Sequence, residues 1–346
     1  MYRRSIHKKS NPHPLSNIGI IYCTSSLSST GREFEKVADC EVIEVAHAVK
    51  DALEEKGLNA ELVDLDPARI GDLRKYDWVF NLAEPIDCFS MSENQIAEEM
   101  EKLSIHFTGA GSNTLKDCLD KSITKAKLFN NGIPTPVYDE FQPGDRIITK
   151  FKFPMMVKPV HEDGSIGISN ESVVENGAGL AVQVEKIHSL YHQAALVEEY
   201  IDGREINAAI LGSGDEAIVL PLSEITYPDQ PGPKILTFAG KWFSESKDFQ
   251  ASIAKCPCDL DPEVDARIKD IALKSFHILD CRDYARVDFR LKGNTPYVLE
   301  VNPNPCINPH GAGFVRSANV AGLTYTELIY RILESSVRNG GFQQDI

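Results

Sequence analysis

The chain reads as an α/β protein of more than one domain, and three observations carry that reading. Short apolar strands alternate with amphipathic helices from Ile18 to about Asn131, and the pattern then changes to strands separated by turns around a single helix. The 346 residues also exceed what one hydrophobic core usually serves. Three units are expected, over 18–120, 121–200 and 201–346, preceded by a basic, mobile leader over 1–17.

The first unit opens as β-α-β. IGIIYC is a strand, Glu33 to Lys56 holds a long helix stopped by Gly57, and NAELVDLD and DWVFNLA are further strands. NQIAEEMEKLSI reads as a helix, HFTG as a short strand and Asp117 to Asn131 as a third helix. Pro134 and Pro136 then forbid further helix and mark a boundary. FPMMVKPV, ALVEEYI and INAAILG are the strands that follow, with a helix from Ala178 to His192. The last part adds helices over Pro262 to Leu279 and Thr324 to Glu334.

Composition narrows the function. A net charge of −15 argues against a nucleic-acid partner, because nonspecific binding to a phosphate backbone needs an excess of Lys and Arg. The apolar run IGIIYC is too short for a signal-peptide core or a membrane span, so a soluble cytoplasmic protein with no membrane partner is expected. Eight scattered cysteines lack the spacing of a disulfide framework, and Cys256-Pro-Cys258 has no second pair or His close by to make a zinc site.

The most informative stretch is DYARVDFRLKGNTPYVLEVNPNP, residues 283–305, which reads as a hairpin with Lys292 to Pro296 as its loop. That register sets Arg286 against Asn302, Asp288 against Glu300 and Arg290 against Val298. Val287, Phe289, Leu291, Leu299 and Val301 fall on the other face, as core. Carboxylates directly opposite each other repel, and a divalent cation removes the conflict. Two carboxylates and the amide of Asn302 are oxygen donors that suit Mg²⁺, with Mn²⁺ as a substitute.

Other residues point to the same chemistry. Lys158 ends an apolar strand and precedes HEDGSIGI, where a glycine-containing loop with Ser165 can bring backbone N–H groups to phosphate oxygens. In ALVEEYIDGRE, the groups of Glu198, Glu199, Tyr200 and Glu205 can accept the amino group of adenine and ribose hydroxyls. Lys121 is either a solvated helical lysine or a second phosphate contact. Arg286, one step along the site face from Asp288, can stabilise charge developing on an acyl or phosphoryl oxygen.

FPMMVKPVHEDGSIGI, LVEEYIDGREINAAILG, CRDYARVDFR and YVLEVNPNP, in this order, resemble the ATP-grasp superfamily, and within it the D-alanine:D-alanine ligase-like family. The resemblance spans IGIIYC to LIYRIL. It implies ATP between the central and C-terminal domains, Lys121 and Lys158 on its phosphates, Glu198 and Tyr200 at adenine, and Glu205 at ribose. It also implies two Mg²⁺ ions on Asp288, Glu300 and Asn302, Arg286 at the reacting carbonyl, a phosphate loop at HEDGSIGI and a lid at GKWFSES bearing Lys241. The implied reaction activates a carboxylate as an acyl phosphate that an amine attacks, giving ADP and phosphate, in a homodimer acting on small-molecule carboxylate and amine substrates.

Where the family usually places its substrate contacts, the chain departs from it. TSSLSSTGREFEKVADCEVIE lacks the family's glycine-rich segment and ammonium-binding acid, for which Asp39 or Glu41 can substitute. FNLAEPIDCFSMSEN replaces a His-Gly turn, Trp242 replaces a tyrosine, and CINPHGAGF replaces a serine-bearing segment. The expected activity is therefore an ADP-forming carboxylate-amine ligase on amino acids or small acids other than D-alanine, with Trp242, His310, Arg316 and Lys241 lining the acceptor pocket. A D-alanine:D-alanine ligase with compensating substitutions, a nucleotide-binding regulator without turnover and a phosphotransferase are the rival readings.

Overall fold

The computed structural model describes residues 15–24, 33–83, 91–228 and 232–340, apart from the side chains of 33–40. Its first sheet is parallel, in the order β2-β1-β3, and is built from β1 (Asn17–Tyr22), α1 (Glu33–Glu55), β2 (Asn59–Asp64) and β3 (Trp78–Asn81). Most of the expected leader lies outside the described residues, but its last residue does not. Asn17 begins β1, and the backbone N–H groups of Ser16 and Asn17 both donate to Asp77 at 2.9 Å. HFTG forms only a single bridge, Val79 to Phe107, because the chain turns away at Gly109 with φ +87°.

α2 (Glu93–Lys102) is followed by two helices where one was expected, α3 (Ser112–Leu119) and α4 (Lys121–Asn130). Asp120 makes the break. Its backbone is extended and its carboxylate accepts from the N–H groups of Ser122 and Ile123, which caps α4 instead of continuing α3.

A four-stranded antiparallel sheet comes next, in the order β4-β7-β5-β6, from β4 (Tyr138–Phe141), β5 (Met155–Pro159), β6 (Val173–Val174), α5 (Gly177–Tyr191) and β7 (Ala195–Glu199). Met155 and Val157 of β5, with Ala195 and Val197 of β7, bury one face against Leu180, Val184 and Ile187 of α5. Strand alternation then sends Lys158 and Glu198 to the opposite face.

The last sheet takes β8 (Arg204–Leu211), β9 (Ile218–Val219), β10 (Ser223–Thr226), β11 (Ile253–Lys255), β12 (Tyr284–Lys292) and β13 (Thr295–Pro303). Its order is β11-β10-β8-β12-β13, with β9 on β8. Between β10 and β11 lie two short helices, α6 (Phe238–Trp242) and α7 (Lys247–Ala251). α8 (Pro262–Ile278) covers the sheet through Ile268, Ala272 and Phe276, which meet Ile206, Val287, Phe289 and Val301. α9 (Gly313–Val320), absent from the sequence expectation, and α10 (Tyr325–Arg338) join α1 in a core shared with the first sheet. Among the described residues, no helix is long and apolar enough to cross a membrane.

The hairpin β12-β13 agrees with the expected register as far as Asp288 opposite Glu300, and departs beyond it. A bulge after Asp288 pairs Phe289 with Val298 and Arg290 with Tyr297, so Leu299 is the extra residue. Val298 enters the core in place of Leu299. The expected five-residue loop is a tight turn through Gly293 and Asn294, since Lys292 and Thr295 already pair and Gly293 supplies φ +59°.

Candidate active site

The face of β8-β12-β13 turned away from α8 carries the acids. Asp288, 8% exposed, accepts at Oδ1 from Arg286 Nε (2.8 Å) and Asn207 Nδ2 (2.6 Å), and at Oδ2 from Arg286 Nη2 (2.8 Å) and Asn302 Nδ2 (3.0 Å). The acid pair is therefore not an uncompensated repulsion awaiting a cation, which corrects the sequence argument. Arg286 offsets Asp288. Burial works against the Arg286 charge, but Asp288 and Glu300 hold the guanidinium protonated more firmly than usual. Burial likewise opposes the Glu300 charge, and Lys121, Lys158 and Arg286 overcome it, lowering its carboxyl to about 2.

Three lysines converge beneath these acids. Lys121, buried at the start of α4, donates to the backbone oxygen of Glu162 and lies 3.2 Å from Asp163. Glu198 sits between the other two. Its Oε1 is 2.7 Å from Lys158 Nζ and its Oε2 is 2.6 Å from Lys125 Nζ. The side chain expected at adenine is thus tied into a buried ion triad, because alternation places it on the same face as Lys158. Burial raises and the two lysines lower its carboxyl, and the lysines prevail. Lys125 was missed; its only sequence signal is the i,i+4 spacing from Lys121.

Glu205, Tyr200 and Glu199 lie at the start of β8 and the end of β7. Glu205 Oε2 accepts from Tyr227 OH and Arg290 Nη2, both at 2.8 Å, and burial raises its carboxyl despite Arg290. Tyr200 OH accepts from the Lys234 N–H at 3.0 Å. Glu199 is 4.0 Å from Lys292 Nζ. A cleft of about 550 Å³ opens here, lined by Glu205, Tyr227, Lys234 and Gly293 among others. Arg290 was placed on the site face but given no role, and Tyr227 was not singled out, since their meeting with Glu205 depends on β8 pairing with β12, with Glu205 opposite Arg290, which the sequence does not show.

The glycine loop and the GKWFSES segment, expected as a lid, touch. Gly164, Ser165 and Gly167 all have φ near +60 to +80°, at +62°, +63° and +77°. Trp242 Nε1 donates to Gly164 O at 2.9 Å, Phe238 N donates to Ile168 O at 3.0 Å, and Lys241 Nζ lies 5.2 Å from the Trp242 ring centre.

The acceptor-pocket expectations divide. Arg316 donates to Ser223 Oγ at 3.1 Å and Gly311 O at 2.9 Å, and exposed His310 is 3.5 Å from Glu44. Glu41 Oε1 accepts from Cys306 Sγ and Asn308 Nδ2, each at 3.3 Å, which brings α1 to the segment after the hairpin. The side chain of Asp39 lies outside the described residues.

Asp288, Glu300 and Asn302 supply oxygen donors on one face. Two carboxylates and one amide are too few for an all-protein cage, and no group of three or more His, Cys, Asp or Glu among the described residues makes one. They fit a hard cation that takes its other ligands from water and phosphate, provided an Arg286 or amide donor cedes a lone pair of Asp288.

With this geometry established, similarity to known proteins is specific. A family model described as the D-ala D-ala ligase C-terminus matches residues 134–334. An uncharacterized protein of Sinorhizobium fredii is 34% identical over 85% of this chain and 88% of its own length. A D-alanine–D-alanine ligase of Janthinobacterium sp. is 30% identical over 82% of this chain and 86% of its own. The D-alanine–D-alanine ligase of Bacillus anthracis, solved in complex with ATP, superposes with a TM-score of 0.73 at 22% identity, covering 94% of this chain and 98% of that one. The sheets described above are thus an ATP-grasp fold, and the chain belongs to the D-alanine–D-alanine ligase-like family of that superfamily.

Proposed function

We propose that the chain is an ADP-forming carboxylate-amine ligase whose substrates are amino acids or related small acids other than D-alanine. The observation that carries it is the convergence of Lys121, Lys158 and Arg286 on Glu300, a concentration of buried positive charge beside oxygen donors. Such a site matches a polyphosphate and a hard cation.

In this reading Lys121 and Lys158 hold phosphate oxygens, Glu205 and Tyr200 face the nucleoside, and Asp288, Glu300 and Asn302 hold Mg²⁺. The bound Mg²⁺ would neutralise phosphate charge during transfer to a carboxylate. Arg286, fixed by Asp288, presents its remaining N–H groups to charge developing on the reacting oxygen. Lys241, Trp242 and Ser165 exclude water from the activated carboxylate by closing lid on loop. The acid of Glu41 holds the ammonium group of a substrate, and Cys306 and Asn308 orient it.

The test is ADP release from ATP and Mg²⁺ with pools of amino acids and small acids, against release with D-alanine alone. Turnover confined to the pools supports the proposal. D-Alanine supporting equal turnover, with the dipeptide recovered, favours the second reading, a D-alanine–D-alanine ligase like the named relatives. Nucleotide binding without ADP release from any mixture identifies a regulator. Light scattering reads the homodimer that belongs to the same proposal.

A further inference from the structure

Lys125 has no part in the roles proposed above, yet at 0% exposure it is the most deeply buried charge of the cluster. It stands one helical turn after Lys121 on α4, so the two side chains leave the same face. Their destinations differ. Lys121 turns to Glu162 and Asp163, whereas Lys125 turns to Glu198 Oε2 and donates to Thr135 Oγ1 at 2.9 Å.

Glu198 meets each lysine with a different oxygen. With one lysine alone, the carboxylate would neutralise it, and a phosphate would have to compete for that ammonium. With two, the trio carries one net positive charge, which faces the Glu300 carboxylate and is available to a phosphate beside it. We propose that Lys125 is a positioning residue for nucleotide binding: by occupying half of Glu198 it leaves Lys158 with charge to offer an anionic phosphate. This rests on the reading that Lys158 binds phosphate.

The charged groups facing Lys125 are Glu198 from β7, Lys158 from β5 and Glu300 from β13, with the Tyr138 ring of β4 at 5.8 Å. α8 meets α4 through apolar side chains, Leu128 against Ile268 and its neighbours. Burial brings the Lys125 ammonium down to about 8, against the pull of Glu198. Mildly alkaline pH therefore releases the whole of Glu198 to Lys158.

The experiment measures affinity for Mg²⁺-ADP by calorimetry between about pH 7 and about pH 9, a window that spans a lysine lowered by burial. It compares wild type, Lys125→Met, Glu198→Gln and the double variant. Wild type should bind more weakly as pH rises. Lys125→Met should lose about tenfold or more at neutral pH and show no such pH dependence, and adding Glu198→Gln should restore most of the loss. Wild-type affinity and pH profile in Lys125→Met, or a loss that Glu198→Gln does not restore, overturns the proposal. If Lys125→Met does not fold, Glu198→Gln alone decides, because it must abolish the pH dependence. No binding by wild type at any pH would instead overturn the nucleotide site itself.

Discussion

The amide oxygen of Asn304 occupies the space where a side chain on Gly109 would begin: a β-carbon built there lies 2.1 Å from Oδ1. The same oxygen accepts from the Ala110 N–H at 2.8 Å, and Asn304 Nδ2 donates to Glu93 at 3.0 Å. Gly109 itself donates to Asp283 at 2.8 Å and accepts from Arg282. The loop before α3 is thus fastened to both ends of the hairpin that carries Asp288 and Glu300.

Gly109→Ala is therefore expected to lower stability by roughly 1–3 kcal/mol, through strain at φ +87° and displacement of Asn304. Gly71→Ala, where nothing lies within 4 Å, is the comparison and should be near neutral. Chemical denaturation of both variants checks this; equal stability would show that the loop simply shifts.

Asp288→Asn should destabilise the unliganded protein instead of relieving repulsion. It removes the carboxylate that holds Arg286 at two points, and leaving one partner of a buried pair typically costs about 3–5 kcal/mol. Denaturation midpoints of Asp288→Asn and of Arg286→Met/Asp288→Asn separate the possibilities. The double variant should recover part of the loss, and Asp288→Asn should also abolish ADP release.

Acid should weaken the fold through Glu300 and Glu198. Both carboxyls are lowered in the folded state, Glu300 to about 2, so each contributes stability that is present above the ordinary carboxylate value and is lost as pH falls through the folded one. Glu205, raised by burial, acts in the opposite sense. The stability difference between wild type and Glu300→Gln, followed by denaturation from neutral pH downward, should shrink below about pH 4.5 and vanish near pH 2. A difference independent of pH would remove the charge argument.

Trp242→Phe keeps an aromatic ring but deletes the donor to Gly164 O. Limited proteolysis within 238–251 should become faster, and ADP release should fall by about tenfold while nucleotide affinity changes little, as expected for a lid contact. Unchanged proteolysis would show that the bond does not hold the lid down.

Much of this was legible because strand alternation and the spacing of acids are local. Asp288 opposite Glu300 and the core face of Val287 and Phe289 needed no tertiary information. Leu299 was misplaced because a bulge depends on how two strands twist together. The ion triad of Glu198 was not foreseen because its partner Lys125 lies 73 positions earlier, in a helix whose break at Asp120 was itself read through. The compensation of Asp288 was missed although Arg286 stands two positions away on the same face, because Arg286 was assigned to the reacting oxygen; the Asn207 amide, 81 positions away on the neighbouring strand, was out of local reach.

Asn207 also shows what the four donors around Asp288 accomplish together. A carboxylate gripped from four directions surrendered its rotational freedom when the chain folded, so little of that entropy remains to be lost when a ligand arrives. Rigidity of this kind is inherited by the whole face of the sheet. An amide on β8 thereby helps to hold the Asp288 carboxylate in one orientation for any ligand that meets that face.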